Sequence, residues 1–208
     1  SDVGVIIRSY ATFLNNINKV EETYRYSKDE LFLTPSSNSI SFAFRRSVVI
    51  SGMVYHRQSA LDVETDLFDG TLLYQLHLTS QLLSFRNLVI NPKVTIMYRK
   101  GGIPDFGNAP SEEGKHTPLN QTKDSSINFI KGMLEIAKYA EKSTHFARYR
   151  DILNDISVYS YPILSIQSKI KTFDFIKYVF ALYKLGLGRS FLFYLYAILL
   201  ILFGSNSI

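Results

Sequence analysis

Two carboxylates three residues apart, Asp66 and Asp69, stand in the run TDLFDGTLLYQLHL at positions 65–78. Acids just ahead of a helix have an ordinary use, because they cap its free N–H groups and complement its dipole. They have a second use when a substrate hydroxyl is brought to them: one carboxylate takes the proton as a general base. The residue types leave both uses open. His77 follows on the same predicted helix, His116 stands in a Gly- and Pro-rich loop, and His56 ends a candidate strand. No two histidines have the i, i+4 spacing that puts a pair of metal ligands on one helix face. Cysteine is absent, which excludes a thiol nucleophile, a thiolate metal site and a disulfide framework. A phosphate-cradling Gly loop, a Walker motif and a Gly-x-Ser-x-Gly elbow are also missing. YRYSK at positions 24–28 mixes basic and aromatic residues as a nucleic-acid surface does, but one such pentamer reads as a solvated face.

The elements that would position these groups alternate between strand and helix. VGVIIR at positions 3–8 reads as a buried strand, and a chain that opens inside a strand is expected to be a piece of a longer one. Positions 15–35 are polar and read as a surface loop with one helical turn. A helix is predicted over 39–49, with Arg45 and Arg46 on its wet side. Gly52 breaks the pattern before the candidate strand MVYHR. A second helix is predicted over 69–84, beginning near Gly70, and KVTIMYR at 93–99 reads as a strand. The loop at 101–122 holds four Gly and three Pro. Loops of that length are usually lids or disordered segments; Phe106 and His116 favour a lid, since both can pack onto something. Asp124 or Ser125 is the expected cap of a following helix, whose apolar positions Ile127, Ile130, Met133, Leu134, Ala137 and Ala140 keep helical spacing. Another helix is predicted over 146–158, broken after it by Tyr161-Pro162.

The C-terminal part has a different character. Over 173–187 the polar residues Asp174, Lys177 and Lys184 fall on one narrow stripe and nearly everything else is apolar, the pattern of a helix lying in a membrane interface. The run at 191–203 is thirteen uninterrupted apolar residues, about 20 Å as a helix at ~1.5 Å per residue. A bilayer crossing takes about 20 residues, so shallow or re-entrant insertion is expected, with a buried core helix as the other reading. The chain of 208 residues carries a net charge of +5. From Lys169 onward Lys169, Lys171, Lys177, Lys184 and Arg189 are opposed only by Asp174. Positive charge beside the most apolar stretch points to an anionic membrane surface rather than to nucleic acid.

Taken in order, these features resemble the second half of a bacterial family 2 glycosyltransferase of the surface-polysaccharide and lipopolysaccharide type. The residues that carry the resemblance are VGVIIRSY, SGMVYHRQSAL (51–61), TDLFDGTLLYQLHL, IMYRKGGIPDFGNAPSEEGKHTP (96–118) and SSINFIKGML. It extends over most of residues 1–162; the GG-to-TP loop is its distinctive part, whereas the strand segments are generic. The resemblance implies an α/β fold: the acceptor-side half of a nucleotide-diphosphosugar transferase, followed by C-terminal helices of which the last are membrane-associated. It divides the chain into a catalytic part at 1–122 including the lid-like loop, a helical extension at 123–167, and amphipathic and apolar helices at 168–208.

In that family an acid followed three residues later by Leu is often the catalytic base. Asp69 with Leu72 matches this pattern, and Asp66 is the second choice. The resemblance further implies an acceptor site around Arg99, Lys100, Gly101, Gly102 and His116. A preceding Rossmann-like half would hold a divalent metal, Mg or Mn, on the donor diphosphate through an Asp-x-Asp motif. This chain has no such motif, since Asp62, Asp66 and Asp69 are spaced by four and three. Its expected partners are a nucleotide sugar and a lipid-linked saccharide acceptor, at the cytoplasmic face of a bacterial inner membrane. The alternative is a non-enzymatic membrane-surface module, in which the acids are caps and the loop is a partner site.

Overall fold

A computed structural model of the protein describes residues 2–101 and 107–204. Gly102 and Phe106 lie outside the described residues. The fold is mixed α/β, with one five-stranded sheet and eight α-helices among the described residues.

Strand β1 (Val3–Phe13) alternates burial along its length, with Val5, Ile7, Ser9 and Ala11 turned inward. It is longer than the apolar run predicted because Ser9 and Ala11 continue the inward period with small residues. Strands β2 (Glu22–Tyr24) and β4 (Met53–Tyr55) both pair antiparallel with β1, at opposite ends of it. Strand β5 (Asn87–Arg99) runs parallel to β1, and β3 (Leu31–Leu33) pairs antiparallel with β5. The polar segment 15–35, expected to be loop with one helical turn, therefore contributes two short strands instead. β5 extends well upstream of the predicted 93–99 because its ladder continues past an irregularity. Arg8 pairs with Asn91 but Ser9 pairs with Val94, and Pro92, which has no N–H to give a ladder, sits in that gap. The Asn91 side chain accepts from the Lys93 N–H at 2.9 Å and closes the bulge.

Helix α1 (Ser37–Arg46) starts at a true cap, with Ser36 Oγ accepting from the Ser39 N–H at 3.1 Å. The short α2 (Arg57–Asp62) is capped by His56, whose Nδ1 lies 3.3 Å from the Ser59 N–H. Helix α3 (Tyr74–Leu82) begins later than the predicted position near Gly70. The delay has a backbone cause: Leu72 has φ of 63°, a left-handed conformation that cannot lie inside a right-handed helix. Helix α4 (Lys123–Ser143) is capped by Thr122, which accepts from the Ser125 N–H at 3.1 Å; neither Asp124 nor Ser125 is the cap. Helices α5 (Tyr149–Val158) and α6 (Ser160–Ser165) are separated at Tyr159. Pro162 thus lies in the first turn of α6, where its missing N–H is not needed, and not in a break after the last helix of the segment.

Helices α7 (Thr172–Lys184) and α8 (Phe191–Phe203) complete the fold. Phe175, Tyr178 and Leu182 of α7 and Phe193, Ala197 and Leu200 of α8 belong to the same hydrophobic cluster as Val5, Leu76 and Ile136. One core therefore runs through all three segments of the chain. Each large side chain buried in it contributes about 1.5–3 kcal/mol. No helix among the described residues is long and apolar enough to cross a membrane.

Candidate functional site

The acids sit on a turn that is fixed from inside. Phe68 is buried between them and packs against His77 and Tyr139, with ring centroids 5.2 Å from each. The Thr65 N–H donates to the Tyr74 hydroxyl at 2.9 Å, and the Asp69 N–H donates to the Asp66 carbonyl at 3.1 Å. Thr71 Oγ1 donates to the Phe68 carbonyl at 2.7 Å and closes the turn. Asp66 and Asp69 are left exposed, and with Glu64, Thr65 and Tyr74 they line an open depression. Neither carboxylate has a hydrogen bond or ion pair among the described residues. The first turn of α3 contains no acidic residue, so these acids do not cap the helix that follows them.

The segment after residue 106 is fastened onto this turn. Gly70 has φ of 76°, and a Cβ there would stand 1.8 Å from the Ser111 carbonyl oxygen, so glycine is what lets the two backbones approach. Lys115 Nζ lies 3.5 Å from the Asp69 carbonyl oxygen. His116 is 7% exposed and hydrogen-bonds the Gly70 backbone. Burial pulls its pKa down, against an upward pull from Glu112. On its other side the segment is tied to α4, where Asn128 Nδ2 donates to the Lys115 carbonyl at 2.8 Å and the Thr117 N–H donates to Ser125 Oγ at 3.1 Å. A lid is expected here because Phe106 and His116 can pack onto something; Phe106 lies outside the described residues, and His116 packs as expected. The described part is a strap with a 3₁₀ turn at Pro110–Glu112 and an isolated bridge between Thr117 and Asn120.

The structure therefore sets Lys115 and His116 against the backbone of Asp69 and Gly70, where they border a depression with Thr71 and Asn128 that is separate from the one lined by Asp66 and Asp69. Arg99, Lys100 and Gly101 lie at the far end of β5, and no hydrogen bond or ion pair among the described residues joins them to the acids. Lys100 Nζ is 2.6 Å from Glu22 Oε1, an ion pair that ties β5 to the β2 edge. Glu22 also accepts from the Tyr24 hydroxyl, and these two bonds, that of Lys100 first, hold its carboxyl below the usual range. Gly101 has φ of 77° and makes the turn out of the strand. His77 is buried, its Nε2 2.7 Å from the Val63 carbonyl oxygen.

One feature gave no sequence signal. Arg45 and Arg46, expected on the wet side of α1, are partly buried beside Asp155 of α5, with Arg45 Nε 2.6 Å from Asp155 Oδ2. Together with Tyr24 and Tyr26 of the supposedly solvated YRYSK segment, they line a cavity of about 290 Å³. Comparison of the chain with protein-family models, characterised proteins and solved structures finds no significant match.

Proposed function

We propose that the chain is the acceptor-side part of a family 2 glycosyltransferase, with Asp69 as its general base. The observation that carries the reading is the state of the two carboxylates. The chain fixes the turn around them with Phe68, Tyr74 and Thr71 and, among the described residues, employs neither carboxylate in a cap, hydrogen bond or ion pair. Asp69 is adjacent to Gly70, on which the strap with Lys115 and His116 closes, so an acceptor in the depression meets the carboxylate beside that strap.

In the transfer, the Asp69 carboxylate takes the proton of an acceptor hydroxyl. The oxygen then bonds to the anomeric carbon of the donor, and the bond from that carbon to the diphosphate breaks, its electron pair leaving with the nucleotide. Glu64, Thr65 and Tyr74, which line the depression with the two acids, are the groups at hand to position the acceptor. No group of three His, Asp or Glu among the described residues could hold the metal that the resemblance implies; in this reading it belongs to the donor-binding half. The acceptor is membrane-borne in this reading, which gives a use to the apolar side chains exposed on α7 and α8.

The test is Asp69→Asn in the full-length enzyme, assayed in membranes with nucleotide sugars and lipid-linked saccharide. Asn keeps the shape and removes the proton acceptor. Turnover should fall by about 10²–10⁴-fold, the range for a lost general base, with an unchanged melting temperature. Asp66→Asn should be milder. Full turnover in Asp69→Asn would sink the assignment, and a large loss confined to Asp66→Asn would move the role three residues upstream.

A further inference from the structure

We infer that the cavity between the sheet edge and the C-terminal helices is a binding site for an anionic amphiphile, with one hydrocarbon chain inside and a phosphate-type head group at the arginines. Its floor is aliphatic: Ile130 and Met133 of α4, Ile156 of α5 and Ile163 of α6. Ile130, Met133 and Ile156 are almost fully buried, so the space reaches into the core of the protein. Native interiors are packed to the density of organic crystals and hold few voids larger than a water molecule. About 290 Å³ is close to the lower size of small-molecule sites, which are mostly apolar with a few placed polar groups.

The charged groups are on one side. Among the described residues Arg45 and Arg46 share a single carboxylate, that of Asp155, which leaves the cluster with one positive charge in excess. Arg46 is the less satisfied: Nη1 donates to the Phe42 carbonyl at 2.7 Å and stands 3.9 Å from Asp155 Oδ1. Burial, with Arg45 beside it, pulls its pKa down against the upward pull of Asp155, so a further anion beside it would favour the charged form. The hydroxyls of Tyr10 and Tyr26 line the same wall and have no hydrogen-bond partner among the described residues. Phenol and guanidinium donors around an anion make charge-assisted hydrogen bonds. A sugar would need several free polar partners deep in the cavity; Ser126 Oγ, which also lines it, is already bonded to Gln167 Nε2 at 2.9 Å.

Entry is from the side of α6. Tyr159 and Ile166 form part of the lining and are 43% and 47% exposed. The innermost wall includes Tyr178 of α7, a fully buried residue of the helix whose opposite face exposes Phe173 and Phe180. The inference stands apart from the transfer reading, since binding is read directly and without donor or acceptor.

The test is titration calorimetry of the full chain with decyl phosphate, decanol and inorganic phosphate, each below its aggregation threshold. Decyl phosphate should bind at one site per chain, decanol at least about tenfold more weakly, and inorganic phosphate without saturation. Arg46→Gln should weaken decyl phosphate by about tenfold or more, as loss of a charge-assisted contact does. Ile130→Phe and Ile163→Phe fill the floor from two helices, and whichever variant keeps the parent melting temperature should lose binding. No saturable binding of decyl phosphate, or equal affinity in Arg46→Gln, overturns the proposal. Inorganic phosphate binding as tightly as decyl phosphate overturns the hydrocarbon half of it.

Discussion

The imidazole of His77 shows how one buried side chain sets a pH limit on the site. It packs against Phe68, Tyr74 and Tyr139, with ring centroids 5.2, 5.6 and 5.7 Å away. Nε2 faces the Val63 carbonyl oxygen, so it carries the proton, and Nδ1 is buried without a partner among the described residues. Burial pushes the pKa below 6.5, although the bond to Val63 pulls the other way; His116 is depressed too, by its own burial. An unfolded histidine takes up its proton near 6.5 and these two do so only at lower pH. Between the two values the unfolded chain binds more protons. Stability is therefore full above pH ~6.5 and falls as pH drops below it. His77→Gln keeps an N–H for Val63 and cannot titrate, so its melting temperature should fall less steeply than the parent's between about pH 7 and 5. Identical slopes would show that His77 is not a source of the pH dependence. Some of this was legible in the residues: the segment that carries the strap histidine does pack onto a neighbour, the backbone of Gly70. Whether the acids cap α3 was not legible, because it turns on the left-handed backbone of Leu72. Nor was the pairing of Arg45 with Asp155, which lies 110 residues away in sequence.

At the scale of elements, periodicity was readable where an element is long and its inner face is continuous. Helix α4 follows the predicted apolar positions, and α8 coincides with the apolar run at 191–203. β2 and β3 have three residues each and exist through their pairing with β1 and β5, so no local pattern announces them. The six-residue α2 is likewise too short to show a period. The strap is another product of tertiary contact, and Gly70 is its test. An alanine there would have to adopt φ of 76° and displace the Ser111 carbonyl. Gly70→Ala should cost more than about 1 kcal/mol in stability. It should also speed amide exchange in residues 107–122 more than in β1 or α4, because the fastening is what protects them. A variant with parent-like exchange in the strap would mean that this backbone contact holds nothing down.

For the molecule as a whole, the decisive feature is that α7 and α8 are core on one side and bare on the other. Removing residues 173–208 is therefore no test of membrane attachment, since it also takes Phe175, Tyr178, Leu182, Phe193 and Leu200 out of the core. The outward face is the informative one: Phe173 is 68% exposed, Phe180 54% and Leu202 67%. Lys177 Nζ stands 4.2 Å from the Phe173 ring centre and Lys184 Nζ 4.6 Å from that of Phe180. Aromatic side chains with lysines beside them fit a lipid interface, where rings enter the acyl boundary and ammonium groups meet anionic head groups. The triple variant Phe173→Ser, Phe180→Ser, Leu202→Ser leaves every core residue in place and removes three large apolar groups from the exposed face. Each is worth about 1 kcal/mol or more on burial, so partitioning onto anionic vesicles should fall at least about a hundredfold, with little change in melting temperature. Binding of the parent should weaken as salt is raised, since the lysine contribution is screened over ~8–10 Å. Flotation of the triple variant to the same extent as the parent would remove α7 and α8 as the membrane-facing surface, leaving those side chains to a protein partner.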